Sequence, residues 1–166
     1  MNATQKEHDT LWDLIKDIKF GMLVHRHRDG SLQGHPLTTQ NKKLDEGSVL
    51  YFFISQSSGM AGRLREDGNV NLSYADTGAD NYVSIAGSAS FSSDQAKKEE
   101  LFTPMAKAWF PGGVTDPDLA LLEVRITHAE YWNAKDSKLT QLFKMAKSAV
   151  TGEPPKNMTE HKELNV

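Results

Sequence analysis

Apolar positions near the start of the chain recur at helical spacing. Leu11, Leu14, Ile15 and Ile18 share one face, and Thr4-Gln-Lys-Glu7 supplies a capping box ahead of them, so a helix is predicted over 5–18. The pattern then changes to strand-like runs. Phe20–Arg26 reads as a strand, Asp29-Gly30 as a turn, and Leu32–Gln40 as the second arm of a hairpin. Pro36 lacks an N–H and fits an edge, a strand start or a bulge. After the polar loop Asn41–Gly47, the aromatic and β-branched run Val49–Ser55 has the pattern of a well-buried strand. Gln56-Ser-Ser-Gly59 breaks it, and a short helix is predicted over Met60–Glu66, ending at Asp67-Gly68. Val70–Ala75 alternates apolar and polar, Thr77-Gly-Ala-Asp80 turns the chain, and Tyr82–Phe91 forms a long strand with Gly87 at a bulge or bend.

Ser93 or Asp94 is read as the cap of a helix from Gln95 to about Ala108, with Pro104 inside it. The segment Phe110–Pro117 is too rich in Pro and Gly for regular structure. Leu119–His128 is a strand that runs on to Trp132. Ser137 caps a last helix, in which Leu139, Leu142, Phe143, Ala146 and Val150 share a face. The polar stretch 151–166, with Pro154-Pro155, is expected to trail over the surface. The sum is about six strands and three or four helices, with neighbouring strands joined mostly by turns. That argues for an α+β fold, mainly antiparallel β, with a sheet or barrel and helices packed outside.

Composition narrows the function classes. At 166 residues a single domain is expected, read here as 1–150 followed by the polar tail 151–166. A formal net charge of -3 gives no bulk attraction to nucleic acid or to an anionic membrane, and neither is an expected partner. There is no cysteine, which excludes disulfides, thiolate nucleophiles and thiolate-held metals. The longest apolar run, Val49–Ile54, is far short of a bilayer span, and Met1–Glu7 has no apolar core of a signal peptide, so a cytoplasmic protein is expected. His25 and His27 flank Arg26 on one strand face, and His35 faces them across the hairpin. No carboxylate joins them, and no metal site is expected. No Ser-His-Asp order or paired-carboxylate motif supports hydrolysis.

The order of helix, hairpin with Gly34-His-Pro-Leu-Thr-Thr-Gln40, strand Leu50–Ser55, serine-rich turn, short helix and Asn69–Tyr74 resembles the FMN-binding split barrels related to pyridoxamine 5'-phosphate oxidase. Ala108-Trp-Phe-Pro-Gly-Gly-Val-Thr-Asp-Pro-Asp118, followed by Leu121–Trp132, is similar to the bacterial general stress protein branch of that superfamily. The resemblance covers roughly 5–150. It implies a six-stranded split β-barrel with flanking helices, a homodimer, and one FMN in each of two clefts at the subunit interface. It implies an oxidoreductase passing electrons from a donor such as NAD(P)H, through the flavin, to a small substrate. The alternatives are a non-catalytic flavin carrier or sensor, or a dimeric interaction module without cofactor. No catalytic side chain is assigned, since the flavin itself carries the redox chemistry.

The same resemblance assigns His35, Leu37, Thr38, Thr39 and Gln40 to the cofactor, where a typical relative begins with Arg and ends with Lys. On residues alone this is an ordinary amphipathic strand with Thr present for β propensity. Ile54 and Ser55 follow on the next strand. Ser57, Ser58 and Gly59 open a helix, a setting that suits a phosphate and equally suits simple capping. Many relatives carry two basic residues where this chain has Gly59-Met60, so Arg63, one turn later, is the candidate phosphate cation, ahead of Lys42, Lys43 and Arg65. Tyr82 aligns with a flavin-contacting glutamine and reads either as a contact or as a core aromatic. Trp109 is expected to close the cleft from the partner subunit, against the flavin or as an interface anchor.

Overall fold

A computed structural model describes residues 3–45, 47–135 and 138–165. The predicted first helix is α1, Gln5–Ile18, with its capping box intact: Glu7 N–H donates to Thr4 Oγ1, and Thr4 N–H donates to Glu7 Oε2 at 2.8 Å. Leu11, Leu14 and Ile15 bury its apolar face in the core. Among the described residues, seven strands make one antiparallel sheet: β1 Phe20–Arg26, β2 Leu32–Thr38, β3 Val49–Ser55, β4 Asn69–Asp76, β5 Asn81–Ser92, β6 Leu119–Ala134 and β7 Thr159–Asn165. The order along the main path is β2-β1-β4-β5-β6-β3.

The sheet curls, so its two end strands approach each other. Gln40, just past β2, donates its N–H to Tyr51 O of β3 at 2.9 Å, and Asn41 Oδ1 accepts from Tyr51 N–H at 2.7 Å. The result is a split barrel of the expected α+β class. Gly21 makes room for one of its largest core side chains. A Cβ there would lie 2.8 Å from Tyr74 Cζ, and Tyr74 is itself 1 % exposed. The bulge expected at Gly87 is present, as a register shift between Ala86 and Gly87 where β5 meets β6.

Strand β6 is the spine, because it pairs with β5 on one side and with β3 and then β7 on the other. β7 corrects the expectation of a trailing 151–166 tail. Residues 159–165 pair with 128–134, and Leu164 is 2 % exposed within the core. One apolar side chain at the right register and a free edge of β6 outweigh a polar composition.

The predicted long helix over 95–108 also divides. Helix α3 covers Gln95–Leu101, with Asp94 as its cap, and α4 covers Ala106–Trp109. Pro104 disfavours helical geometry at Thr103 and lacks an N–H, so the chain is already extended at Phe102, ψ 130°. Earlier in the chain α2 runs Gly59–Glu66, and after α4 a 3-10 turn occupies Gly113–Thr115 in the Pro/Gly-rich segment. The last helix, α5, covers Lys138–Thr151. Its proposed cap, Ser137, lies outside the described residues. The expected apolar face forms and is left uncovered, with Leu139, Leu142, Phe143 and Val150 all exposed. No helix among the described residues is long and apolar enough to cross a membrane.

Candidate functional site

Where the curled sheet opens, β2, β3 and the α4 segment enclose a cleft of about 400 Å³. Its apolar walls come from Leu37, Phe53, Ile54, Phe110 and Trp109, and its polar groups from Thr38, Gln40 and Ser55. Phe53 meets Phe102 edge-on at 5.9 Å, which seats the segment after α3 beside the cleft. Trp109, expected from a partner subunit, lines the cleft from the same chain and is 81 % exposed.

A second cavity of about 630 Å³ lies on the other side of the α2 start. Ser58 and Met60 line both cavities, so the two adjoin at the start of α2. The second carries the basic side chains. His25, His27 and His35 come from the hairpin, Arg28 from its turn, and Arg63 from α2, with Glu66 as the carboxylate. Gly59 borders it too, and a Cβ there would meet nothing within 4 Å.

The three serines are less free than their sequence suggests. Ser55 Oγ donates to Asp118 Oδ2 at 2.6 Å, and Ser57 N–H donates to Asp118 Oδ1 at 2.9 Å. These bonds, the Ser55 hydroxyl first, hold the Asp118 carboxyl below the usual carboxylate range. Ser58 Oγ caps α2 by accepting from Ala61 N–H at 3.1 Å, and it donates to Ser55 O at 2.7 Å. A carboxylate therefore already occupies the donors at the serine mouth. A second anion there would meet like charge, so an anionic group fits the basic cavity better.

The remaining sequence-derived residues separate clearly. Leu37, Thr38, Gln40, Ile54, Ser55, Ser58 and Trp109 converge on the cleft, and His35, Ser58, Gly59 and Arg63 on the basic cavity. Thr39 points into the core, where its hydroxyl and Tyr74 Oη are 2.7 Å apart. Ser57 is exposed and lines neither cavity; its hydroxyl lies 3.1 Å from Ser55 Oγ and its N–H donates to Asp118. Tyr82, at the start of β5, pairs with Ala75 and Trp132 and lines neither cavity. Of the weaker cations, Lys42 and Lys43 line a separate small pocket, and Arg65 lies 4.4 Å from the centre of the Phe91 ring.

Arg63 is held in place by its neighbours. It pairs with Glu66 and donates to Arg26 O at 3.3 Å, while its buried Nε has no partner. Sequence reasoning missed Asp118, Phe53, Phe110 and Glu66. Asp118 meets Ser55 across 63 residues and had no local signal, whereas Phe53 sits in a strand whose alternate face could be read from its period.

A family model described as "Pyridoxamine 5'-phosphate oxidase like" matches residues 6–156. Among solved structures, the chain is similar to a general stress FMN/FAD binding protein from the phytopathogen Xanthomonas citri. The two are 29% identical with a TM-score of 0.68, over 81% of this chain and 93% of that one. It shares its fold with a general stress protein 26 from Jannaschia sp. CCS1, at 22% identity and a TM-score of 0.78, over 98% and 100% of the two chains. Among curated proteins it is similar to protein bli-3 of Neurospora crassa, 26% identical over 116 residues. That match takes in 65% of this chain and 56% of bli-3, so it spans little more than half of that relative.

Proposed function

The chain belongs to the pyridoxamine 5'-phosphate oxidase-like family, and from that premise we propose that it binds FMN across the two adjoining cavities. The observation that carries this reading is the change of chemistry at Ser58 and Met60, from an apolar, aromatic cleft to a basic cavity. A flavin ring needs a flat apolar wall and a few hydrogen-bonding groups, and its phosphate needs cations and donors. Leu37, Ile54 and Trp109 are the proposed wall. Thr38, Gln40 and Ser55 supply polar contacts, and Arg63 with His35 holds the phosphate. Arg63 lines the basic cavity and supplies the cation that a phosphate needs. The FMN/FAD-binding relative from Xanthomonas citri supports the same cofactor.

In this reading the protein is an oxidoreductase that takes electrons from a donor such as NAD(P)H and delivers them to a small substrate. When bound, the flavin supplies hydride-transfer chemistry. The chain's own residues bind and orient. Asp118 fixes the direction of the Ser55 hydroxyl and keeps a second anion out of the cleft. The open cleft favours turnover over storage. Residues 159–165 are paired on β6 and do not fold across the opening.

A homodimer completes the proposal. Phe20, Met22, Met105 and Trp109 leave apolar surface open, more than a lone chain gains from exposing. A partner seated there would narrow the cleft mouth and shield a ring from water. Titration of the purified chain with FMN, followed by gel filtration, tests the cofactor. A retained visible flavin band supports the reading, and complete loss of flavin on the column contradicts it.

A further inference from the structure

One group in the basic cavity has no role so far. His25 lies on β1 and is 2 % exposed, yet its Nδ1 has no hydrogen-bond partner. Its Nε2 is 3.1 Å from Nε2 of His35, and the two rings stack with centroids 5.1 Å apart. The register explains the pairing. His35 stands opposite Leu23 and His25 opposite Gln33, so the imidazoles are diagonal neighbours on one face.

The geometry points to a proton-linked anion site, in which the His25–His35 pair takes up one proton together with a doubly charged phosphate-type anion. This deepens the phosphate assignment above and rests on it. Two neutral imidazoles at this distance share a single N–H. One further proton converts them into an N–H···N cation that both rings hold, while a second would place two charges in contact. Burial first, and then the neighbouring His35, already hold the His25 imidazole below its usual range, so without an anion its protonation is disfavoured. An anion beside Arg63 reverses that balance, because its charge compensates the proton.

The other charges that face the pair do not titrate in the same way. From α2 come Arg63 and Glu66, and the Arg28 guanidinium holds the Glu66 carboxyl below its ordinary value. From the hairpin turn, the Ser31 hydroxyl holds Asp29 low as well, and His27 Nδ1 lies 3.7 Å from that carboxylate. Arg26 points to the opposite face of β1. With neutral imidazoles, Arg28, Arg63 and Glu66 leave the cavity walls one positive charge. The shared proton doubles it.

Sulfate is the probe, because it remains a dianion throughout the range in which a phosphate changes charge. Its affinity is measured by calorimetry from about pH 8 to about pH 5.5, at constant ionic strength, with the full chain. The expected result is a Kd that falls by up to about tenfold for each pH unit, the limit for one linked proton. His35→Gln, at a partly exposed position, abolishes the slope. His27→Gln leaves it unchanged, and His25→Gln serves as a second test if it folds. A sulfate affinity that is independent of pH, or one whose slope survives His35→Gln, overturns the inference. The flavin reading fails separately. FMN that binds with no proton uptake removes the histidine site and leaves the cofactor, whereas sulfate that shows the slope while FMN does not bind keeps the site and removes the cofactor.

Discussion

Ser55 and Asp118 are joined by a 2.6 Å hydrogen bond between the end of β3 and the start of β6. The bond puts a carboxylate at the rim of the cleft and uses donors that a serine-rich helix start would otherwise offer to a phosphate. Because the folded Asp118 carboxyl lies below its ordinary value of 3.8, its contribution to stability is present above that pH and is lost as pH falls through the lower folded value. Asp118→Asn should therefore unfold at a lower temperature than the parent near neutral pH. The gap should narrow as the pH drops below about 4, the region in which free Asp takes up its proton. Thermal unfolding of both proteins across that range checks it.

Arg63 is the cation placed to meet a phosphate. Arg63→Ala should weaken FMN by roughly ten- to a hundredfold, the range for losing hydrogen bonds between charged groups. Riboflavin, which lacks the phosphate, should keep its affinity. Parallel titrations of the two ligands read the difference, and equal losses for both would move the phosphate elsewhere.

Much of the fold could be read from period and punctuation. The capping box Thr4–Glu7, the Asp29-Gly30 turn and the Val49–Ser55 run all lie where local rules place them. The errors have one physical origin. Pro104 acts on residues before it and ends α3 at Leu101, and β7 forms because β6 offers it an edge, which no local pattern in 159–165 announces. The site divides along the same line. Leu37 and Thr38 end β2 and reach the cleft together with Gln40 just beyond it, whereas Thr39 turns inward to the Tyr74 hydroxyl, a partner the strand pattern does not announce. Asp118 and the His25–His35 contact depend on which strands become neighbours, and the chain order alone does not fix that.

The seventh strand can be tested through its one core residue. Leu164 is nearly fully buried, so Leu164→Ala should cost about 2–5 kcal/mol, the usual range for truncating a buried leucine. Denaturant unfolding measures it. A tail that merely trailed over the surface would give almost no change.

Trp109 should report on the ligand directly. Its indole lines the cleft, whereas Trp12 lies on α1 and Trp132 stacks on His161 with ring centroids 5.0 Å apart. FMN should quench the intrinsic fluorescence, and Trp109→Phe should remove the larger part of that quench while retaining binding. An undiminished quench in the variant would place the ring away from α4.

In the proposed complex the flavin phosphate and the flavin ring occupy two adjoining, differently built cavities. Calorimetric titration of the full chain with FMN and, separately, with riboflavin addresses it in one measurement. The account predicts saturable binding at one FMN per chain, with riboflavin markedly weaker because the basic cavity is left unfilled. Riboflavin binding as tightly as FMN, or neither ligand producing heat or a retained chromophore, would contradict it.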